Sequence, residues 1–324
     1  MRELDFEGKK VLVTGGAGFI GSHVCEELLK LGAIVYCLDD FSAGKEKNIR
    51  FLRDYANFTV LKKSVCDTEG MDEVFYGVDT VFHNAASKKN VCLMNPKKDL
   101  MVNGEGTLNL LEFAKKHEVR KFVHASTGSV YGEPVIFPTD ESHPLRPVSY
   151  YGVSKLAGER YVDVFHRLYG MDTTILRYFH VYGPRQESNE FGGVVSIFIR
   201  NILEKKDLTI FGDGSQLRSF TWVKDLVQAN IQAAINPTAT GKVYNAASGI
   251  QVSIRELAEN MKALFENSAN ASRIVFDEPL VGDIMFFNVS NESILKDLGV
   301  TFEKDFWGTL GSTIQEFVAS IEAK

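Results

Sequence analysis

Apolar residues in the first half of the chain alternate between two patterns. Short β-branched runs read as strands: KKVLVTG (9–15), AIVYCLD (33–39), FTVLKKS (58–64), DTVFHNA (79–85), KFVHAS (121–126) and TTILRY (173–178). Between them lie stretches with apolar positions at helical spacing: 19–31, which stops at Gly32, and segments near 45–56, 96–117 and 149–169. Short strands separated by helices predict βαβ units and a parallel sheet, so the fold class is α/β. After residue 178 the rhythm loosens. Glycines gather at 183, 192, 193, 212 and 214, and helices are predicted near 194–204, 222–235, 253–267 and 306–322. This predicts a sheet domain over 1–178, to which a segment at about 220–248 returns. It also predicts a smaller lobe over 179–324 that caps the carboxyl edge of the sheet, where open α/β sheets bind their ligands.

Composition narrows the chemistry. A chain of 324 residues can bury a large core without disulfides or a structural metal. The cysteines (Cys25, Cys37, Cys66, Cys92) are scattered with no CxxC pair, which predicts reduced thiols and no metal site. A net charge of −6 with no basic run disfavours nucleic acid and membrane surfaces as partners. The polar start MRELDFEGKK, and the lack of an apolar run of ~18–20 residues, predict a cytoplasmic protein that does not span a membrane.

TGGAGFIG (14–21) sets Gly15, Gly18 and Gly21, with Phe19 and Ile20, between the first strand and the first helix. Glycines there permit a tight turn and close approach to a pyrophosphate, and the helix start offers free N–H groups to an anion. A glycine-rich turn without a ligand is the alternative. Asp39 ends the second strand, placed to accept hydrogen bonds from an adenosine ribose and to repel a 2′-phosphate, which favours NAD over NADP. Lys45 is the first cation after it. Asp40 reads equally as a cofactor contact or a solvated turn residue. Asp67 reads as an adenine contact or as a helix N-cap for 69–75.

Tyr151 and Lys155 in YYGVSK (150–155) are four residues apart and share one helix face. A phenol is a poor base at neutral pH. A nearby ammonium, and the positive ring of NAD⁺, would lower its pKa. Upstream, HASTGSVYG (124–132) brings Ser126, Thr127 and Ser129 to the same edge, as hydrogen-bond partners for a reacting sugar oxygen or as ordinary strand-end caps.

TGGAGFIG, Asp39, HNAAS (83–87), VNGEGT (102–107), STGSVYG, YGVSK and RYFHVYGPRQ (177–186) together resemble the extended short-chain dehydrogenase/reductase family. Within it the chain resembles the nucleotide-sugar 4-epimerases. The resemblance implies a Rossmann fold with a doubly wound parallel sheet and a smaller C-terminal substrate-binding lobe. It implies tightly held NAD, a nucleotide-diphosphate sugar substrate, a UDP-sugar above all, and a homodimer built on the helices near 96–117 and 149–169. Tyr151 matches the base/acid, Lys155 its partner, and Thr127 the catalytic Ser/Thr. Ala85, Ala86, Lys88, Asn103 and Tyr178 match cofactor positions, Asn103 as a structural asparagine. Lys88, Ser126, Asp283 and Arg218 match substrate positions, Arg218 at the diphosphate. The backbone near Val194 would face the diphosphate as well, and that near Phe211 the base.

Three positions depart from the family pattern: His180 where Asn is usual, Ser219 where Asp follows the arginine, and Leu280 in LVGD (280–283) where an arginine stands. Phe287 occupies the place that gates the sugar's 2-substituent, and its bulk suggests a plain hexose. Gly128 and Ser129 stand where a 4,6-dehydratase carries its acids, which argues for epimerisation over dehydration. A 4,6-dehydratase using a different acid, another oxidoreductase of the family, and a non-catalytic NAD-binding module are the remaining alternatives.

Overall fold

The computed structural model describes residues 6–87, 89–188, 192–265, 272–279 and 284–322. Seven strands form one sheet: β1 (Lys10–Thr14), β2 (Ile34–Leu38), β3 (Phe58–Leu61), β4 (Val78–His83), β5 (Lys121–Thr127), β6 (Thr173–Tyr178) and β7 (Lys242–Ala246). Their order is β7-β6-β5-β4-β1-β2-β3, and every pairing is parallel. The order reverses between β1 and β4. The connections leave in opposite directions there, and a crevice opens outside the carboxyl ends of the strands.

Helices cover both faces. The longer ones are α1 (Phe19–Lys30), α2 (Gly106–Lys116), α3 (Tyr150–Tyr169), α4 (Val194–Leu203), α5 (Val223–Ile235), α6 (Ile254–Leu264) and α7 (Phe306–Glu322). One core joins Val24 and Leu28 of α1 and Val227 and Ile231 of α5 to the sheet. The opposite core joins Leu110 and Leu111 of α2 to Val162 and Phe165 of α3. Because both faces are buried, the strands are apolar throughout rather than alternating; Val11, Leu12 and Val13 are all fully buried. The lobe has its own core, in which Phe198 and Ile199 of α4, Leu257 of α6, and Phe306 and Leu310 of α7 meet. A small cluster with Tyr131, Phe179, Ile284 and Phe287 lies at the junction.

Three elements differ from the pattern-based expectation. The segment near 45–56 is two 3₁₀ turns, Glu46–Asn48 and Arg50–Asp54. It braces the glycine loop: Lys45 N and Asn48 Nδ2 both donate to Ala17 O, at 2.9 and 3.0 Å. The long helix near 96–117 is interrupted by a π turn, Met101–Glu105, between Pro96–Leu100 and α2. Asn103 sits in that turn. Finally, the helix Glu292–Leu298 recrosses to the sheet, where Ile294, Leu298, Val300 and Phe302 join the α1/α5 core.

Candidate active site

The crevice at the strand-order reversal is a cavity of about 620 Å³. Gly15, Gly18, Phe19, Ile20 and Gly21 line one wall, and Asp39, Asp40 and the loop to Lys45 line another. Ala85, Ala86 and Ser87 follow β4, and Ser126, Tyr151, Lys155 and Tyr178 close the far end. Gly15 has φ +65°, and a Cβ on it would fall 2.7 Å from the Ala85 backbone nitrogen. Only glycine permits β1 to turn this close to the end of β4. No side chain caps α1 at Gly18 and no acid stands in its first turn, so its N-terminus is left to an anion.

Asp39 ties this wall together. Its carboxylate accepts from Ala17 N (2.9 Å) and Phe41 N (2.8 Å). Burial, with the neighbouring Asp40, pushes its pKa up against those two bonds. Asp40 also lines the cavity and accepts from Ser42 N at 2.8 Å. The glycine cradle, the uncapped helix and the two acids fit a dinucleotide without a 2′-phosphate. Asp67 lies outside the cavity: its carboxylate accepts from Ser64 N (2.8 Å), and the helix Met71–Phe75 is preceded by Gly70 with no side-chain cap. Asn103 is fully buried beneath the cavity. It accepts from Ser87 N (2.9 Å) and donates to Ser154 Oγ (2.9 Å), so it braces the wall without lining it.

A second chamber of about 210 Å³ adjoins the first, and Tyr178 lines both. Thr127, Gly128, Ser129 and His180 face Phe179, Ile284 and Phe287 across it. His180 has φ +33°, a region that favours Asn and tolerates His. Its ring packs edge-on against Phe287 at 5.3 Å, and Phe287 packs the same way against Phe179 at 5.7 Å.

Tyr151 and Lys155 come from the first turns of α3, which starts where Ser149 Oγ accepts from Gly152 N (3.1 Å). The Tyr151 hydroxyl faces Thr127, whose side chain lowers its pKa. Thr127 Oγ1 in turn donates to Ser129 Oγ (3.3 Å) and accepts from Ser129 N (3.2 Å). The phenol therefore stands where the large cavity meets the small chamber. Lys155 is buried, and burial brings its pKa down to about 8 against the charges of Glu159 and Asp99. The sequence suggests a lowered phenol pKa. The protein alone does the reverse: burial and Asp99 push Tyr151 up to about 12, and only the Thr127 hydroxyl pulls it down.

The comparisons with known proteins agree with this geometry. The model of the NAD dependent epimerase/dehydratase family matches residues 11–247. The chain belongs to the NAD-dependent epimerase/dehydratase family. A putative UDP-glucose 4-epimerase of Methanocaldococcus jannaschii is 38% identical over 277 residues, 85% of this chain and 87% of its own. A UDP-N-acetyl-alpha-D-glucosaminuronate decarboxylase of Bacillus cytotoxicus is 36% identical over 276 residues, 83% of this chain and 84% of its own. The crystal structure of the UDP-glucose 4-epimerase of Thermotoga maritima with UDP-glucose superposes with a TM-score of 0.90 at 34% identity, covering 96% of this chain and 99% of that one.

Other expected positions of this epimerase/dehydratase site fall around the two spaces rather than in them. Arg218 is buried and donates to Ile284 O (2.6 Å), so it fixes a wall of the small chamber. Val194 opens α4 directly after Gly193, which lines the large cavity. Phe211 ends the lobe strand Leu208–Phe211, partly exposed. Lys88, Leu280 and Asp283 lie outside the described residues.

Two buried carboxylates were not anticipated. Glu159 accepts from Ser126 Oγ (2.5 Å) and pairs with Arg177 through two bonds of 3.0 and 2.8 Å. Its spacing of four residues from Lys155 was the available signal. Asp99 gave none. Among the described residues no group of ligating side chains could hold a metal, and no helix is long and apolar enough to cross a membrane.

Proposed function

We propose that the chain is a UDP-sugar 4-epimerase in which Tyr151 moves the proton of the sugar's 4-hydroxyl. The observation that carries this reading is the placing of Tyr151 on the dinucleotide cavity beside Thr127, which lines the adjoining small chamber. The sugar sits in the small chamber, with its 4-hydroxyl toward Tyr151 and Thr127. The glycine loop and Asp39 would hold NAD, which would supply the hydride acceptor and donor. Tyr151 takes the hydroxyl proton as hydride leaves and returns it after the flat 4-keto sugar has turned over. Thr127 holds the reacting oxygen, and the Lys155 charge favours the ionised phenol. Ser126, clamped by Glu159, forms part of the cavity end.

Epimerisation is favoured over dehydration because no carboxyl group lines the small chamber among the described residues. Eliminating water from the sugar requires an acid there. His180 and Phe287 close the chamber around the sugar ring, and the Phe287 ring favours a plain hexose.

The molecule acts as a homodimer in the cytoplasm. Support for the dimer comes from the outer face of α3, where Val153, Tyr161, Val164 and Leu168 are exposed at helical spacing, beside exposed Leu100 and Met101. Two copies bury these faces against each other. The test is incubation with UDP-glucose and UDP-galactose. A product of unchanged mass with the 4-carbon inverted by NMR supports the reading; loss of water or carbon dioxide overturns it.

A further inference from the structure

Lys155 lies among charges of two kinds. Glu159, one turn farther along α3, is neutralised by Arg177, which also donates to Tyr131 OH (2.8 Å). Asp99 has no such partner among the described residues. Its side chain is 1% exposed; Oδ1 accepts from Asn103 Nδ2 (3.1 Å) and Oδ2 has no hydrogen-bond donor among the described residues. Leaving a carboxylate oxygen bare in the interior is costly. Asn103 links this carboxylate to the catalytic helix through Ser154 Oγ (2.9 Å), which donates to Tyr151 O (3.1 Å). The same asparagine accepts from Ser87 N at the cavity wall.

We propose that Asp99 is a positioning residue of the reaction, a buried counter-charge that acts through Lys155 and Tyr151. The inference rests on Tyr151 and Lys155 being the reacting pair.

Glu159 also acts on Lys155, through a carboxylate paired with Arg177, whereas Asp99 acts on both Lys155 and Tyr151. Cys92, from the helix Lys89–Met94, and His83 and His124, from β4 and β5, are buried, and burial holds both histidines neutral beside Lys155. Asp99 thus offsets the lysine's charge and, after burial itself, adds to what disfavours a negative charge on the phenol. The phenol then ionises against the further positive charge of an oxidised nicotinamide ring, and a buried carboxylate favours that ring over its reduced, neutral form. Ionisation of the base is thereby tied to the oxidised state of the cofactor.

Asp99→Asn keeps an acceptor for Asn103 and removes the charge. In the NAD-loaded protein without substrate, the tyrosinate absorbance of Tyr151 is isolated by subtracting the Tyr151→Phe background. We expect it to titrate about one pH unit lower in Asp99→Asn. NAD⁺ should bind several-fold more weakly while NADH binding holds, and the acidic limb of kcat/KM should move to lower pH. Should Asp99→Asn not fold, Asp99→Ser carries the same measurements. A folded, charge-free variant whose titration and NAD⁺/NADH preference match the unaltered protein overturns the proposal. The titration needs no sugar, so it stands apart from the identity of the substrate.

Discussion

The two spaces of the site are built in different ways. The dinucleotide cavity is walled mainly by backbone at the ends of β1, β2 and β4, with Gly15 turned against Ala85 and Asp39 pinning the loop by two amides. The small chamber is walled by side chains from distant parts of the chain: Thr127 and Ser129, Phe179 and His180, Ile284 and Phe287. On the proposed function, the first would bind a constant ligand part through geometry that few residues can adopt, and the second would set what sugar enters through side chains that can be exchanged. Tyr151 belongs to the boundary, and substitutions should therefore sort by side of that boundary.

The largest effect is expected at the boundary itself. Tyr151→Phe removes the proton carrier and leaves both walls, so turnover should fall by about 10²–10⁴-fold with NAD content unchanged. Near-normal kcat in this variant would place the chemistry elsewhere. Next comes the backbone wall. Gly15→Ala forces a side chain into φ +65° and against the Ala85 backbone, with strain of about 1–3 kcal/mol. The purified protein should lose its NAD while the fold of the lobe persists. Full NAD occupancy would show that the turn is not fixed by Gly15.

The backbone wall is also the part that the sequence reveals. Glycines at a strand-to-helix turn and an acid at the end of the next strand are read one residue at a time, because each satisfies a local need. Six of the seven sheet strands and the limits of α3 are legible for the same reason: continuous apolar runs, and Ser149 and Gly170 at the helix ends. The π turn at Asn103 is not legible, since its cause is a set of bonds to Ser87, Asp99 and Ser154 that only the folded chain assembles. The strand at 242–246 follows α5, but KVYNA carries a single β-branched residue and an asparagine, so no apolar run marks it. Asp99 reads as an exposed helix acid among lysines. Arg218 reads as a diphosphate ligand, and the fold adds that its guanidinium also donates to the Ile284 carbonyl, which the sequence does not show. For Tyr151 the spacing of the lysine is legible, but the sign of the pKa shift is not, because burial and Asp99 push the phenol up and the side chain that pulls it down is Thr127.

Acid should act first on the sheet side. His23 is buried against Pro184 O, and burial brings its pKa down to about 4; burial lowers His83 and His124 as well. The unfolded chain binds these protons below about 6.5, whereas the folded chain does not. The unfolded state therefore binds more protons, and stability rises with pH across this window and is lost as pH falls from 6.5 toward 4. Each neutral histidine contributes a slope of at most about 1.4 kcal/mol per pH unit. Neither ring nitrogen of His124 has a hydrogen-bond partner among the described residues, so His124→Leu should flatten the acid loss by one proton in denaturant titrations. An unchanged slope would mean that His124 is protonated in the fold.

The smallest and most selective effect is expected in the side-chain wall. Phe287 is 4% exposed and packs on both Phe179 and His180, so its ring defines one side of the chamber without touching the dinucleotide wall. Phe287→Leu keeps an apolar contact with Phe179 and removes the ring's far edge. Exchanging apolar bulk in a sugar pocket is worth about 1–3 kcal/mol of discrimination, and a leucine gives the low end of that range. The ratio of kcat/KM for a UDP-N-acetylhexosamine over the plain UDP-hexose should rise several-fold, while NAD content and kcat for the hexose stay close to those of the unaltered protein. The contrast with Gly15→Ala is the point of the experiment, because one change should empty the cofactor wall and the other should only reshape the choice of sugar. If Phe287→Leu instead released NAD, the two spaces would not be separable, and the chamber would have to be treated as part of the cofactor's own binding surface.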